Sequence, residues 1–581
     1  MFEGLPREYD VIVVGTGMVE SILAAACARN GKTVLHIDTN EYYGAEWASF
    51  SLNGLIEWTQ MQENPKIDID PQDDNEKILP IGNPLNVFRN VELKWNIEKT
   101  NEQTTTTTEN ESTKPITLDV LGKQSRKFNI DLTPKLYYAS GGLIDLLVQS
   151  NVGKYCEFKL VSRLLFERNG QIDNLYYASG GLIDLLVQSN VGKYCEFKLV
   201  SRLLFERNGQ IDNVPSSRAD IFNSNDISLI DKRLLMKVIM NCSSMAIEDL
   251  NKEHDIPFIE YLKKQKLNDT LSHLIINSIS MVDYNASTKE GIIKAKRYLD
   301  SIGRYGNSPF LYPLYGNGEM CQCFCRLCAV FGGFYFLRFP LAGFTIDLSN
   351  NQCTGIVSTT GERFRAKDMV ICNNSFLESI SSNKNVIHRT VLFTNKSIKS
   401  SEKEEVTYLR LSAQNKTGIH IIEVGFGPGC APDGFFLLYI FQESSSENTD
   451  EIIEQLLRLT GDNFTRDNIL GQLTFDQVDT MSTSSSSSTL SKLIVTHGPD
   501  GSIDHDSAVE AARNLFYEIY SNREEFLARA PDPEDIIIEG TDNTDETNNT
   551  DETNNTDETS TTNTATDDTL ATKTNTDTEA L

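Results

Sequence analysis

The chain begins without a cationic segment followed by an apolar run, so no secretory signal is expected. No uninterrupted apolar stretch reaches membrane-spanning length, which speaks against a helical membrane span. A disulfide framework is missing too: eleven cysteines, odd in number and scattered over 581 residues, fit reduced thiols in the cytosol. Positive charge is scarce. With 53 Lys and Arg against 82 Asp and Glu, the formal net charge is -29. Nucleic acid is therefore not an expected partner, and attraction to anionic lipid headgroups is disfavoured. The chain ends Thr578-Glu579-Ala580-Leu581, so no prenylation box of its own is expected. The seven histidines are scattered and build no triad with an evident nucleophile, so no catalytic residue is expected.

What the chain does have is Val11-Ile12-Val13-Val14-Gly15-Thr16-Gly17-Met18-Val19-Glu20, which reads as a strand, a tight turn and a helix. A dinucleotide fingerprint asks for three glycines: for the turn, for close approach to pyrophosphate, and for packing of helix on strand. Gly15 and Gly17 fill the first two places and Glu20 stands in the third. Its side chain puts bulk where helix and strand should touch, and a negative charge where a phosphate would sit. A helix over 20–30 and a second strand over 33–38, ending in Asp38, complete the βαβ unit. The fold is expected to survive without its ligand: Gly15, Gly17 and Glu20 form a degenerate loop, and no cofactor is expected. A flavin oxidoreductase, the alternative of another class, should carry further glycines on a later strand. The segment Met369-Val370-Ile371-Cys372-Asn373-Asn374 occupies a plausible place and supplies none.

Three low-complexity segments, 104–108, 484–488 and the Asn/Thr-rich tail after Gly540, read as solvated and disordered. Residues 136–174 recur without a difference as 175–213. Solenoid repeats diverge and come in larger numbers, so this identical tandem duplication points to a very recent duplication or a faulty gene model, and the second is favoured. Each copy reads as a helix, a strand and a turn at Asn-Gly; one copy suffices for a continuous fold, and the other must bulge out or displace it. From 219 to 303 the pattern turns helical. Ile227, Ile230, Leu234, Val238 and Met245 approximate one apolar face, Pro257 opens a second helix, 271–281 makes a third, and Ser287-Thr288-Lys289-Glu290 is a capping box for a fourth. Strand-like segments return at 333–339, 344–348, 353–358, 368–372, 418–424, 434–441 and 492–496, and a last helix covers 507–520. The expected organisation is a discontinuous α/β domain over 1–218 and 304–540, holding a disordered polar insert at 61–125. A helical domain over 219–303 and an acidic disordered tail over 541–581 complete it.

Cys321, Cys323, Cys325 and Cys328 are the densest cysteine group, but their spacing is not two CxxC pairs and no histidine is near. On a helix Cys321, Cys325 and Cys328 share one face, as buried small apolar residues do, so packing is expected and no metal. His36 reads as a core residue with a satisfied ring, and His497 as a turn residue.

Several stretches together resemble the Rab escort protein and Rab GDP dissociation inhibitor family. They are Tyr9 to Glu20, Leu35-His36-Ile37-Asp38 through Tyr42-Tyr43-Gly44, Arg304-Tyr305-Gly306, Pro309-Phe310-Leu311-Tyr312-Pro313-Leu314-Tyr315-Gly316, and Gly318-Glu319 through Arg326-Leu327 to Gly332-Gly333. The family shares a fold resembling flavin-dependent monooxygenases and carries glutamate at the third glycine position. The stretches Trp47-Ala48-Ser49-Phe50-Ser51, Gln322 to Arg326 and Ser217 to Phe222 look like the escort branch; the inhibitor branch, which extracts and recycles prenylated Rab, is the alternative.

The resemblance implies a non-catalytic accessory protein of the cytosol. Its partners would be GDP-bound Rab GTPases, the alpha subunit of the Rab geranylgeranyltransferase heterodimer, and the geranylgeranyl lipid of the product, which is delivered to a membrane. Carried over by position, the Rab-binding platform falls on Tyr43, Glu319 and Arg326. The transferase contact falls on Phe222 and Arg233, and the helical segment 219–303 is the candidate lipid carrier. Two departures stand beside the platform: Met320-Cys321 replaces the usual Leu-Pro, and Ala45 follows Gly44 where a second glycine is usual.

Overall fold

The computed structural model describes residues 4–61, 69–98, 116–149, 156–158, 165–168, 171–174, 195–207, 209–215, 221, 227–245, 256–377, 385–401, 406–411, 418–443, 449–481, 490–520 and 525–527. The glycine-rich stretch forms strand β1 (Glu8–Val14), helix α1 (Met18–Arg29) and strand β2 (Val34–Ile37). β1 lies inside the first sheet, parallel to β2 on one side and to Arg363–Asn373 on the other. A strand covered on both faces reads as a near-continuous apolar run, as β1 does. Alternation still sorts it: Val11 and Val13 pack with α1, and Ile12 and Val14 enter a separate cluster with Phe344, Ile356 and Phe364. Phe334–Phe336 and Leu493–Thr496 extend the parallel part; Gln352–Ser358, Leu341–Asp347 and Glu76–Pro80 continue it antiparallel. On α1 lean the helices Gly318–Val330 and Asp506–Tyr520, which share its core.

The second sheet runs Gln210–Asn213, Arg202–Arg207, Thr407–Leu411, Ile419–Val424, Phe436–Glu443, Val386–Thr394, Ile469–Val478 and Phe88–Trp95. Helix Thr449–Thr460 covers one of its faces, through Ile452, Ile453 and Leu456 against Leu392, Leu438 and Ile440. Helices Leu229–Ser244, Phe258–Lys264, Asp269–Leu274 and Thr288–Ser301 share a core with Val391, Tyr408, Ile422 and Tyr439 of the sheet. The helical segment and the second sheet thus bury one another's apolar faces.

Three expectations need correction. The 61–125 stretch is not a disordered insert throughout: residues 76–80 and 88–95 are strands on the edges of the two sheets, and Leu118–Lys123 is a helix. Alternating polar residues on an exposed edge strand look like linker to a composition argument, because only one face has to be apolar. In the first helix of the 219–303 segment the buried side is Lys232, Leu235, Val238 and Cys242, while Ile230 is 72% exposed. The helix starts at Leu229, so a face drawn from Ile227 is phased from outside the helix. The third helix ends at Leu274 and continues as a π-helical turn, Ile275–Ser280. The Pro257 and Ser287 helix starts stand as expected, with Ser287 Oγ accepting from Glu290 N at 3.2 Å. The acidic tail and two low-complexity runs lie outside the described residues.

Candidate functional site

Gly15 sits at φ 106°, the left-handed turn that favours glycine, and delivers the chain into α1 beneath Phe376 and Asn373. Glu20, in the first turn of the helix, is fully buried, and its carboxyl folds back over the loop. Oε1 accepts from Asn373 Nδ2 at 3.1 Å and from the Thr496 hydroxyl. A Cβ on Gly17 would stand 2.3 Å from Glu20 Oε2, so the carboxylate fills the space that the second glycine keeps open in a dinucleotide site. The ribose-type acid is also engaged: Asp38 accepts from Thr16 Oγ1 at 2.6 Å and from Asn40 N at 2.8 Å. These residues do not fit a dinucleotide. The later strand expected to approach the loop does so, offering the Asn373 amide to Glu20 in place of glycines.

Burial dominates the electrostatics here. It pushes the carboxyl of Glu20 up to about 7, that of Glu46 to about 8 and that of Asp38 to about 6, each raised further or held down by its neighbours. His36 is fully buried; its Nε2 lies 2.7 Å from Gly15 O, and burial drops its pKa to about 4. The ring is satisfied on that side only, since Nδ1 has no hydrogen-bond partner. His497 sits before a turn and holds Gly498 O at 2.7 Å through Nδ1. The four clustered cysteines are buried on the Gly318–Val330 helix, where they pack against α1 and its neighbours.

The same helix brings the three platform residues together. Tyr43 is half-buried, its ring stacked on Tyr335 at 5.3 Å with planes 16° apart. Glu319 stands in the first turn of the helix and Arg326 seven residues on, exposed; that spacing puts them on nearly one face. Burial lifts the Tyr43 phenol above its ordinary range and the Glu319 carboxyl to about 7, and the Arg326 charge lowers both. One guanidinium therefore acts on both of the other two. Ala45, beside Tyr43, adopts φ 48°, the left-handed region in which a glycine is relaxed and an alanine strained.

A layer beneath the platform escaped the sequence reading. Asp131 is fully buried in the strand Ile130–Asp131 and accepts from Asn317 N at 2.8 Å, Asn317 Nδ2 at 2.8 Å, Tyr312 Oη at 2.6 Å and the Ser49 hydroxyl. Ser49 Oγ in turn accepts from Gly318 N at 2.8 Å, at the start of the platform helix. The one available signal was an acid between two apolar residues, Ile130 and Leu132. Its partners come from distant parts of the chain, which no local pattern predicts.

Of the transferase pair, Phe222 lies outside the described residues. Arg233 is exposed on Leu229–Ser244, away from the platform helix in the chain. Leu229, Arg233 and Met240 fall at spacings of four and seven, so they share a face; Leu229 is 71% and Met240 58% exposed. Two exposed apolar side chains thus frame Arg233 on this helix. Among the described residues no helix is long and apolar enough to cross a membrane.

The family model for GDP dissociation inhibitors matches residues 5–80, 110–176 and 171–530, the last two stretches overlapping inside the duplication. The chain is 32% identical to the human Rab proteins geranylgeranyltransferase component A 1, over 93% of this chain and 95% of that protein. It is 25% identical to the rat Rab GDP dissociation inhibitor beta, over 78% and 83%. Among solved structures, the Rab GDI from Plasmodium falciparum aligns with a TM-score of 0.59 at 20% identity, covering 89% of this chain and 99% of that one, a likeness of fold. By the extent of these matches, the chain belongs to the GDP dissociation inhibitor family.

Proposed function

We propose that this protein is a Rab escort protein: a non-catalytic subunit that binds an unprenylated Rab GTPase in its GDP form, presents it to the geranylgeranyltransferase heterodimer and carries the product to a membrane. The observation that carries this reading is the pairing of a cofactor loop closed by Glu20 with a partly exposed platform formed by Tyr43, Glu319 and Arg326 on the same scaffold. A βαβ unit without room for a dinucleotide has lost the chemistry of its fold and kept the rigidity. The greater identity and coverage for the component A relative than for the inhibitor favour the escort branch.

Tyr43, Glu319 and Arg326 bind the GTPase. Arg233, with Leu229, Met240 and Phe222, meets the transferase alpha subunit. A geranylgeranyl chain left in water costs roughly 0.8 kcal/mol per exposed CH₂, so the product needs a carrier. The helices between 229 and 301 are the candidate carrier: Leu271, Ile275, Ile276 and Ile279 belong to their buried apolar core, the last three within the π-helical turn Ile275–Ser280. Such turns recur at functional sites because they widen the helix locally. A protein of this kind works in the cytosol.

The test is co-precipitation with unprenylated Rab and with the transferase, for the parent and for Phe222→Ala combined with Arg233→Ala. The double variant is expected to retain Rab and lose the transferase. A double variant that recruits the transferase normally would remove the proposed contact. Equal prenylation of Rab by the transferase with and without this protein would remove the escort role itself.

A further inference from the structure

Tyr43 lies between β2 and the short helical turn Ala45–Trp47, where no helix or strand ladder fixes its backbone. Its place is set instead by contacts that start in the degenerate loop. The first series runs through rings. Gly15 O holds His36 Nε2 at 2.7 Å, and the fully buried His36 ring meets Tyr335 edge to face, centroids 4.9 Å apart and planes at 83°. Strand pairing brings these two together: His36 of β2 is in register with Tyr335 of the strand Phe334–Phe336, so their side chains stand on one face of the sheet. The half-buried Tyr335 ring then stacks on Tyr43.

A second series holds the backbone. Gly44 N donates to Thr16 Oγ1 at 2.9 Å, and that hydroxyl donates its own proton to Asp38 Oδ2 at 2.6 Å. Thr16 and Asp38 are fully buried. In a dinucleotide site an acid at the position of Asp38 holds a ribose hydroxyl. Here it orients the threonine that grips the residue after Tyr43. The loop also reaches the platform helix: Ser21 Oγ donates to Thr16 O at 3.1 Å and lies 3.3 Å from Cys325 Sγ, on the helix that carries Glu319 and Arg326.

An interface side chain that is ordered before its partner arrives loses less freedom on binding. Tyr43 meets that condition on both sides, its ring against Tyr335 and its backbone through Gly44 and Thr16. Both series end on the rigid βαβ unit, whose Gly15 and Thr16 have no dinucleotide to hold.

We propose that Thr16 and Tyr335 are positioning residues that hold Tyr43 in its binding orientation, with the closed cofactor loop as the anchor for both. This rests on the reading of Tyr43 as a Rab contact.

The experiment titrates the full chain with unprenylated, GDP-bound Rab. The variants are Tyr335→Ala, Tyr335→Phe, Thr16→Val and Thr16→Ser, each alone and combined with Tyr43→Ala. Tyr335→Ala and Thr16→Val should each weaken binding by roughly threefold to tenfold, the scale of ordering one side chain at an interface. Tyr335→Phe keeps a stacking ring and Thr16→Ser keeps the hydroxyl, so both should bind like the parent. In the Tyr43→Ala background none should weaken binding further, because the side chain they hold is gone.

A fluorinated tyrosine placed at position 43 reports on the ring in the absence of Rab. Its fluorine resonance should move in Tyr335→Ala and Thr16→Val and stay in the two conservative variants. Equal losses of affinity with and without Tyr43 would mark a general structural defect and overturn the proposal. So would parent-like binding by both Tyr335→Ala and Thr16→Val when Tyr43→Ala binds weakly. If Tyr43→Ala itself binds Rab normally, the platform reading falls; an unmoved fluorine resonance overturns the positioning whatever Rab does.

Discussion

Asn373 Nδ2 donates to Glu20 Oε1 at 3.1 Å, tying the end of a strand to the first turn of a helix more than three hundred residues earlier in the chain. The contact closes the nucleotide loop from inside. It is possible because position 20 carries a carboxylate and because the parallel strand Arg363–Asn373 ends beside Gly15. A glycine at 20 would leave the Asn373 amide and the Thr496 hydroxyl facing an open loop.

Stability is expected to fall as pH rises. The buried carboxyls of Asp38, Glu20 and Glu46 dissociate near 6, 7 and 8, above their ordinary values of 3.8, 4.5 and 4.5. Below about pH 4 they are protonated in both states and cost nothing. Between about 4 and 8 the folded state holds protons that the unfolded chain has released, so each step up in pH favours unfolding. Denaturant midpoints measured from about pH 5 to 8.5 should decline for the parent, and less steeply for Glu46→Gln and Glu20→Gln. Parallel profiles for parent and variants would contradict this assignment.

Ala45→Gly should stabilise the protein by about 1 kcal/mol, since it removes a Cβ from a residue held at φ 48°. The gain is offset in part by the added freedom of glycine in the unfolded chain. Chemical denaturation of the two proteins side by side measures it. A lower midpoint for the glycine variant would mean that the Ala45 methyl group packs for more than its strain.

Asp131→Ala should cost about 3 kcal/mol, because it strands buried donors on Asn317, Tyr312 and Ser49 together. Its effect should extend to Rab affinity, since those donors seat the helix that carries Glu319 and Arg326. Asp131→Asn, which keeps the acceptor oxygen, should recover part of both losses. A variant that loses stability and binds Rab normally would separate this network from the platform.

Tyr43→Ala and Arg326→Ala should each weaken Rab binding by roughly tenfold or more, in keeping with the weight of aromatic and arginine anchors at interfaces. Arg326 is exposed, so its replacement should lower the unfolding temperature far less than it lowers Rab affinity. Leu229→Ser combined with Arg233→Ala should do the reverse: normal Rab binding and a weakened transferase complex. Titration of each variant with both partners checks the two surfaces separately.

The βαβ unit was legible from residues 9–38 because its period, turn and second strand are all local. The strands between 333 and 496 were legible in part: Val386–Thr394, Thr407–Leu411 and Ile469–Val478, inner strands of the second sheet, carry no unbroken turn-bounded alternation of their own, while Gln352–Ser358 and Phe436–Glu443 were legible. The platform residues followed from a family resemblance rather than from their chemistry, since an exposed Arg326 looks like any solvated helix charge. The support beneath them left almost no trace, because Asp131 draws on Ser49, Tyr312 and Asn317 from separate stretches of chain.

By itself, then, the sequence determined that position 20 is an acid, that position 45 has a Cβ and that residues 136–174 occur twice. Those are covalent facts, and each constrains what a fold can do. Only the tertiary structure decided that the Glu20 carboxyl turns inward to fill the loop, that Ala45 sits where a Cβ is strained, and that Tyr137 of the first copy meets Asn317. Each of these depends on where remote strands and helices come to rest, and packing, which is a property of the whole chain, sets that.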